Sequence, residues 1–230
     1  MIQISNSVWV GEGETVPFFG LPYSTRMTVI RLSCGSLWLH SPIRWTSQLQ
    51  QQLDQLGPVK YLVAPNKLHH LFISEWQQQH PQAQIFATKA LQTKRKDIRF
   101  DGLFTPNIPG PWQADIAQLL FTGSVAMEEC VFFHKPSQVL IVTDLVENFS
   151  PEVFTPIQRH VAKATGILAP HGKMPIDWRL SFIFGKSEAR QHLQQILSWQ
   201  PKVLIMAHGL IVNHEVDKFL RRSFAWLGLT

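Results

Sequence analysis

Polar residues that can bind a metal ion follow three short apolar segments of the sequence. KYLVA leads to His69 and His70, QVLIVT leads to Asp144, and VLIMA leads to His208. Such segments are typical of buried strands, and a residue that follows a strand is held rigidly while its loop reaches solvent. Imidazole and carboxylate ligands together suit zinc, iron or manganese. The pattern therefore indicates a candidate metal site.

Each of these residues also has a structural interpretation. A lone histidine after a strand often lies in a loop, and an aspartate there often caps the next helix. Ten histidines against two cysteines exclude a disulfide framework and an all-cysteine zinc site, but not a histidine site. We expect Cys34 and Cys130 to be free, buried thiols. From the residues alone, the metal site and the structural alternative stay equally open.

The elements that must position these residues are both strands and helices. MTVIRLS and SLWLH predict a hairpin with Cys34-Gly35 as its turn, whereas Pro17–Pro22 predicts a loop. The remaining segments predict helices from Thr46 or Ser47, at 71–80, 186–199 and 214–227, and strands at 116–122, 130–134 and 138–143. This order predicts an α/β fold, which we expect to form a single domain over residues 1–230.

The composition limits the class of protein. The chain has 230 residues, is 45% hydrophobic and carries a formal charge of +5, which together exclude global disorder. The basic run from Lys89 to Arg99 is interrupted by Asp97, so a solvated helix is favoured over nucleic-acid binding. We expect a cytoplasmic protein without membrane attachment, because the sequence contains neither a secretory signal pattern nor an apolar run of about 18 residues.

Three longer stretches carry a resemblance to a known family: LVAPNKLHHLFISEW, VFFHKPSQVLIVTDLVENF and VLIMAHG. From about residue 6 to its end, the chain resembles the metallo-β-lactamase superfamily, and more closely a branch of unknown function. In the second stretch a strand, a turn, a strand and Asp144 resemble the superfamily's bridging-carboxylate unit. The resemblance implies a four-layer αββα sandwich with its metal site along one edge. It also implies a hydrolase that uses one or two metal ions.

The resemblance also implies which metal ligands are missing. The superfamily motif His-x-His-x-Asp-His has Pro65 and Lys67 in place of its first two histidines, and Val125 lies near the place of the next histidine. These three positions together would hold one of the two metals. The ligands of the other metal correspond to His69, His70, Asp144 and His208. The resemblance thus implies one divalent metal ion, with zinc favoured and iron or manganese as alternatives.

Two residues are candidates for catalysis. Asp144 would orient a metal-activated water in addition to binding the metal. Lys67 would replace part of the lost positive charge and hold a substrate anion or a developing oxyanion, unless it is simply a solvated loop lysine. If four protein ligands filled a tetrahedral shell, no position would remain for water, and a structural metal would be the better interpretation.

Other polar residues are candidates for the rim of the site. Glu128 and Glu129 lie near the missing histidine, and we expect both to face solvent rather than to bind metal. His134 is expected on the surface at the opposite end of the sandwich. Asp177 and Arg179 are candidates for the rim, and the alternative is a salt bridge between them within their loop. Glu147 and Asn148 are also candidates, and the alternative is a plain loop or capping role. The predicted substrate-binding residues are Asn66, Lys67, Glu147, Asn148, Asp177 and Arg179.

Three functions remain open at this point. The first is a one-metal hydrolase that acts on an unknown ester, thioester, amide or phosphoester. The second is a member of the same fold that has lost catalysis and binds a small molecule or a protein. The third is an iron protein with a redox or oxygen-handling function. Metal content would separate the first from the second, because only the first requires a metal ion.

Overall fold

Two β-sheets form the centre of the protein in a computed structural model that describes residues 1–18, 20–106 and 108–228. The first sheet has its seven strands in chain order: β1 (Ile2–Ser5), β2 (Val8–Phe18), β3 (Leu21–Arg31), β4 (Leu37–His40), β5 (Val59–Ala64), β6 (Gln84–Ala87) and β7 (Gly102–Leu103). The second sheet has the order β11-β10-β9-β8, with β8 (Ile116–Phe121), β9 (Glu129–His134), β10 (Val139–Ile141) and β11 (Val203–Ile205).

The helices lie between the strands and follow local sequence signals. Thr46 and Thr88 cap α1 and α3, because each side chain accepts a hydrogen bond from the backbone N–H three residues on. Parallel strands need a crossover, and α1, α2 and α3 provide it within the first sheet. The helices are α1 (Ser47–Asp54), α2 (Ile73–Gln79), α3 (Lys89–Lys94), α4 (Pro156–Thr165), α5 (Ile176–Leu180), α6 (Lys186–Ser198) and α7 (Val216–Ser223).

Three apolar clusters show the layers. One cluster lies between the sheets and includes Trp38 and Phe132. A second packs α1, α2 and α3 on the outer face of the first sheet, with Trp76 fully buried. A third packs α5, α6 and α7 on the outer face of the second sheet, around Phe182. The predicted four-layer αββα sandwich is therefore confirmed.

The topology explains why distant residues meet at one edge. The strands β10 and β11 are parallel, with Val139 opposite Val203, so the loops that follow them leave from the same end of the sheet. Asp144 and His208 lie in those two loops. The backbone N–H of Cys130 donates to the Pro65 carbonyl at 2.8 Å, and this bond joins the end of β5 to the second sheet.

Two local predictions were wrong. Pro17–Pro22 is not a loop, because β2 and β3 continue through most of it and Pro17 pairs with Pro22 in the ladder. Cys34 is exposed rather than buried because it lies in the turn between β3 and β4, whereas Cys130 is buried as predicted.

Within the described residues, no helix is both long and apolar enough to cross a bilayer.

Candidate metal centre

Three side chains from three different loops converge at the edge of the sandwich. The Nε2 atoms of His69 and His208 each lie 3.1 Å from the same oxygen, Oδ1 of Asp144. One ligand atom from each residue lies within 4.8 Å of the others. The three side chains expose only 9%, 6% and 9% of their surface for His69, His208 and Asp144 respectively.

The second ring nitrogen of each histidine has its own partner. Nδ1 of His208 lies 2.7 Å from the backbone carbonyl of Ser24, and Nδ1 of His69 lies 2.7 Å from Oγ of Ser41. A carbonyl can only accept, so Nδ1 of His208 carries a hydrogen, and in the tautomer with its single hydrogen there Nε2 presents a lone pair. That lone pair faces a carboxylate oxygen of Asp144, and a cation between the two acceptors would stabilise the arrangement.

The other oxygen of Asp144 belongs to a buried network. Nδ2 of Asn66 lies 2.8 Å from Oδ2 of Asp144, 2.9 Å from Oγ1 of Thr143 and 3.1 Å from Oε2 of Glu129. Glu129 also accepts from the backbone N–H groups of Thr143 and Asp144, at 2.7 and 2.9 Å. Oδ1 of Asn66 accepts from the backbone N–H of His69 at 3.0 Å. The network thus fixes both Asp144 and the loop that carries His69.

Burial and charge shift the pKa values of these groups in opposite directions. Burial opposes ionisation of Asp144, but His69 and His208 hold the pKa of its carboxyl well below the usual range. Burial likewise opposes protonation of His69, but the negative charge of Asp144 raises the pKa of its imidazole overall. Burial, reinforced by Asp144, raises the pKa of Glu129 to about 7. A proton on His69 therefore competes with any metal ion for this site.

A pocket of about 460 Å³ opens directly onto His69, Asp144 and His208. This volume is within the range typical of small-molecule sites. Its walls are formed by the β2–β3 hairpin, the turn after β4, the segment before α2 and the end of α3. The other lining residues are Val16, Pro17, Phe18, Tyr23, Thr25, Ser41, Pro42, Leu68, His70, Leu71, Phe72 and Lys94.

The chain matches one known sequence family. The sequence profile of the family described as "Domain of unknown function (DUF4336)" matches residues 6–169, which is more than half of the sequence. The chain belongs to this family. No curated protein matches the DUF4336 chain.

Solved structures show which fold the DUF4336 chain has. It is similar to DIM-1 metallo-β-lactamase exposed to ceftazidime (11% identity, TM-score 0.67, covering 98% of this chain and 94% of that one). It is similar to a metallo-β-lactamase from Pontibacter korlensis (11% identity, TM-score 0.63, covering 99% of this chain and 98% of that one). It is also similar to the metallo-β-lactamase FIM-1 from Pseudomonas aeruginosa in its mono-zinc form (7% identity, TM-score 0.65, covering 100% of this chain and 96% of that one). The DUF4336 chain is therefore a member of the metallo-β-lactamase fold, as the motifs predicted.

The structure brings together three of the four predicted metal ligands. His70 is not in the group formed by His69, Asp144 and His208, because its Nδ1 lies 3.0 Å from a guanidinium nitrogen of Arg95. Burial, with further contributions from Lys94 and Arg95, lowers the pKa of His70 to about 4, so its ring is neutral at pH 7.

Lys67 does not occupy the predicted position either. Its ammonium donates to the carbonyl of Ala126 at 2.6 Å, so it holds the loop before β9. Among the described residues, the lysine that lines the pocket is Lys94, which donates to the Lys67 carbonyl at 2.9 Å. The register of the short loop therefore points Lys67 away from the site.

The predicted substrate-binding residues have mainly structural contacts. Glu147 is buried and accepts from the hydroxyl of Tyr23 at 3.2 Å, and burial together with Asp144 raises the pKa of Glu147 well above its usual value. Asn148 bonds to Leu210 and Gly172, while Asn66 belongs to the network beneath Asp144. Within the described ranges, the residues that line the pocket do not include Asn66, Lys67, Glu147, Asn148, Asp177 or Arg179.

Several other predictions about polar residues need correction. Glu129 is fully buried rather than solvent-facing, because four donors from Asn66, Thr143 and Asp144 compensate its burial. His134 does lie at the end of β9, but it is buried against Ser137 instead of being on the surface. Arg179 donates to the Thr165 carbonyl at 3.2 Å, which is not the predicted bridge to Asp177.

Proposed function

We propose that this protein is a metal-dependent hydrolase with one divalent metal ion, zinc in the first instance, bound by His69, Asp144 and His208. The observation that carries the proposal is the convergence of two imidazole Nε2 atoms on one carboxylate oxygen at the base of a pocket. The partners of the two Nδ1 atoms support it, because a metal-binding histidine commonly donates its other ring N–H to a carbonyl or similar group.

His69, Asp144 and His208 would be three protein ligands, the number found in catalytic rather than structural zinc sites. A metal ion bound here would supply a water whose pKa is lowered towards about 7. The chain's own residues would orient the ligands and limit the access of solvent. Asp144 presents Oδ1 to the histidines while Asn66 holds Oδ2, so Asp144 would act first as a ligand.

The side of Asp144 that faces away from the histidines supports one metal rather than two. In the two-metal pattern implied by the resemblance, the bridging aspartate contacts a cation on each side. In this protein the Asn66 amide lies 2.8 Å from Oδ2, and Glu129 and Thr143 accept from the same amide. A neutral donor therefore satisfies the oxygen that a second cation would otherwise bind.

A catalytically inactive binding module is the second candidate, and a specific observation favours it. Because Asp144 raises the pKa of His69, a proton can take the place of the metal between the two side chains. The three residues would then form a closed, hydrogen-bonded group without chemistry, next to a pocket that still binds a small molecule.

Metal analysis of protein purified without added metal tests the proposal. We expect about one zinc, iron or manganese ion per chain, and its loss in a His208→Ala variant. His160→Ala is the matched control, because His160 is exposed on α4 and its Nδ1 contacts only the carbonyl of Pro156. The control should keep the metal ion.

Absence of metal from the purified protein, together with no uptake from zinc, iron or manganese solutions, would contradict the hydrolase proposal. Bound metal without turnover of any generic ester, thioester, amide or phosphodiester would favour the binding module. A redox-active iron that changes its absorption spectrum on reduction would instead favour the iron-protein hypothesis.

A further inference from the structure

The pocket beside the metal centre presents mostly apolar surface. Its walls consist largely of carbon atoms from Val16, Pro17, Phe18, Pro42, Leu68, Leu71 and Phe72. The ring of Tyr23 adds to this surface, lying edge-on to His208 with 4.9 Å between the ring centres. An apolar wall favours ligands that release water from a hydrocarbon surface.

Each polar side chain on the walls makes a hydrogen bond within the protein. These bonds are Tyr23 Oη to Glu147 at 3.2 Å, Thr25 Oγ1 to the Glu14 carbonyl at 2.8 Å, Ser41 Oγ with His69 at 2.7 Å, His70 Nδ1 with Arg95 at 3.0 Å, and Lys94 Nζ to the Lys67 carbonyl at 2.9 Å. A ligand with polar groups along its length would lose bonds to water without regaining them here, which is costly. Apart from the side that Lys94 lines, the walls therefore disfavour polar ligand bodies.

From these observations we propose that the pocket binds the apolar acyl chain of an ester or thioester whose carbonyl lies at His69, Asp144 and His208. The inference rests on the proposed hydrolase function. In the reaction the water oxygen bonds to the acyl carbon, and the bond to the leaving oxygen or sulfur breaks. The products are a carboxylic acid and an alcohol or thiol, which takes up a proton.

The proposal gives a chain-length dependence that can be measured. Each methylene that enters an apolar pocket strengthens binding by up to about fourfold. Octanamide has four more methylenes than butanamide, and a pocket of about 460 Å³ is large enough for its whole chain. We therefore expect octanamide to bind at least about 20-fold more tightly than butanamide, since burial of the chain is incomplete in an open pocket.

Isothermal titration calorimetry on metal-free protein measures this binding separately from catalysis, because the proposed reaction requires a metal ion. Both amides are neutral, so a difference between them reflects chain length. Leu71→Asp should weaken the binding of octanamide at least tenfold, since it places a charge in the apolar wall. Leu71 is 54% exposed, so the substitution should leave folding intact. Leu180→Asp is the matched control, because Leu180 is 70% exposed on α5 and lies outside the pocket.

A preference for octanamide below about threefold, or one that Leu71→Asp does not change, would overturn the assignment of the pocket. Hydrolysis of p-nitrophenyl octanoate and acetate by zinc-loaded protein then separates the two proposals. Octanamide binding without turnover of either ester would contradict the hydrolase and leave the pocket assignment intact. Turnover that favours the acetate ester, without octanamide binding, would contradict the pocket assignment and support the hydrolase.

Discussion

Replacing Asn66 with alanine would test whether the buried network beneath Asp144 holds the site together. The Asn66 side chain is fully buried, and its amide nitrogen faces three oxygen acceptors, one each from Asp144, Glu129 and Thr143. Its Oδ1 accepts from the backbone of the following loop. Alanine removes all of these bonds and leaves the acceptors buried.

The expected loss of stability follows from the number of hydrogens. An amide NH₂ group has two hydrogens, so about two strong bonds to the acidic acceptors are lost. At about 1.5–3 kcal/mol for each bond to a charged group, the loss is about 3–6 kcal/mol. We therefore expect Asn66→Ala to lower the free energy of unfolding by about 3–6 kcal/mol.

Urea unfolding followed by tryptophan fluorescence, in the presence of a chelator, would measure this loss without any contribution from metal binding. Asn213→Ala is a suitable control, because Asn213 is exposed and should change stability by less than about 0.5 kcal/mol. A decrease below about 1 kcal/mol for Asn66→Ala would refute the reasoning, since it would mean that water or another side chain satisfies the same acceptors.

Three further predictions concern the metal centre. Ser41→Ala removes the partner of Nδ1 of His69, so zinc affinity measured by competition with a chromophoric chelator should fall about 10- to 100-fold, whereas a loss below threefold would argue against an orienting role. Because the pKa of His69 is raised, protonation should begin to displace zinc above pH 6.5, and affinity should decline steadily as the pH falls; an affinity that is constant between pH 8 and 6 would contradict this. Gly209→Ala should lower both the melting temperature and zinc affinity, because Gly209 has φ +97° and a Cβ would overlap the Asn148 backbone next to His208; an unchanged melting temperature would show that this turn can relax.

Much of the fold could be predicted because its signals are local. Thr46, one of the two predicted cap residues, caps α1, and the runs near 116–122, 130–134 and 138–143 form three adjacent strands. The β2–β3 hairpin was missed because proline and glycine usually indicate a loop. Pro17 and Pro22 can face each other in a ladder, because alternate pairs in an antiparallel ladder need no N–H donor from either residue.

The site was predicted in part for the same reason. Asp144 and His208 follow two neighbouring parallel strands, and that position is visible in the sequence. His69 and His70 are adjacent, however, and only the turn of the backbone decides which ring faces Asp144. Glu129 pairs with Asn66 across 63 residues and two sheets, so no local pattern could show that this acid is buried.

The unequal surroundings of the two Asp144 oxygens connect the network to the number of metal ions. Oδ1 faces two imidazole nitrogens and Oδ2 faces the Asn66 amide, so a cation near Oδ1 gains two further ligands, whereas a cation near Oδ2 would have to displace a bonded donor. Displacement would also leave Glu129 and Thr143 without that donor in a buried environment, which is costly. We therefore expect zinc titration to saturate at one ion per chain, because the Asn66 amide already donates to the oxygen that a second ion would need.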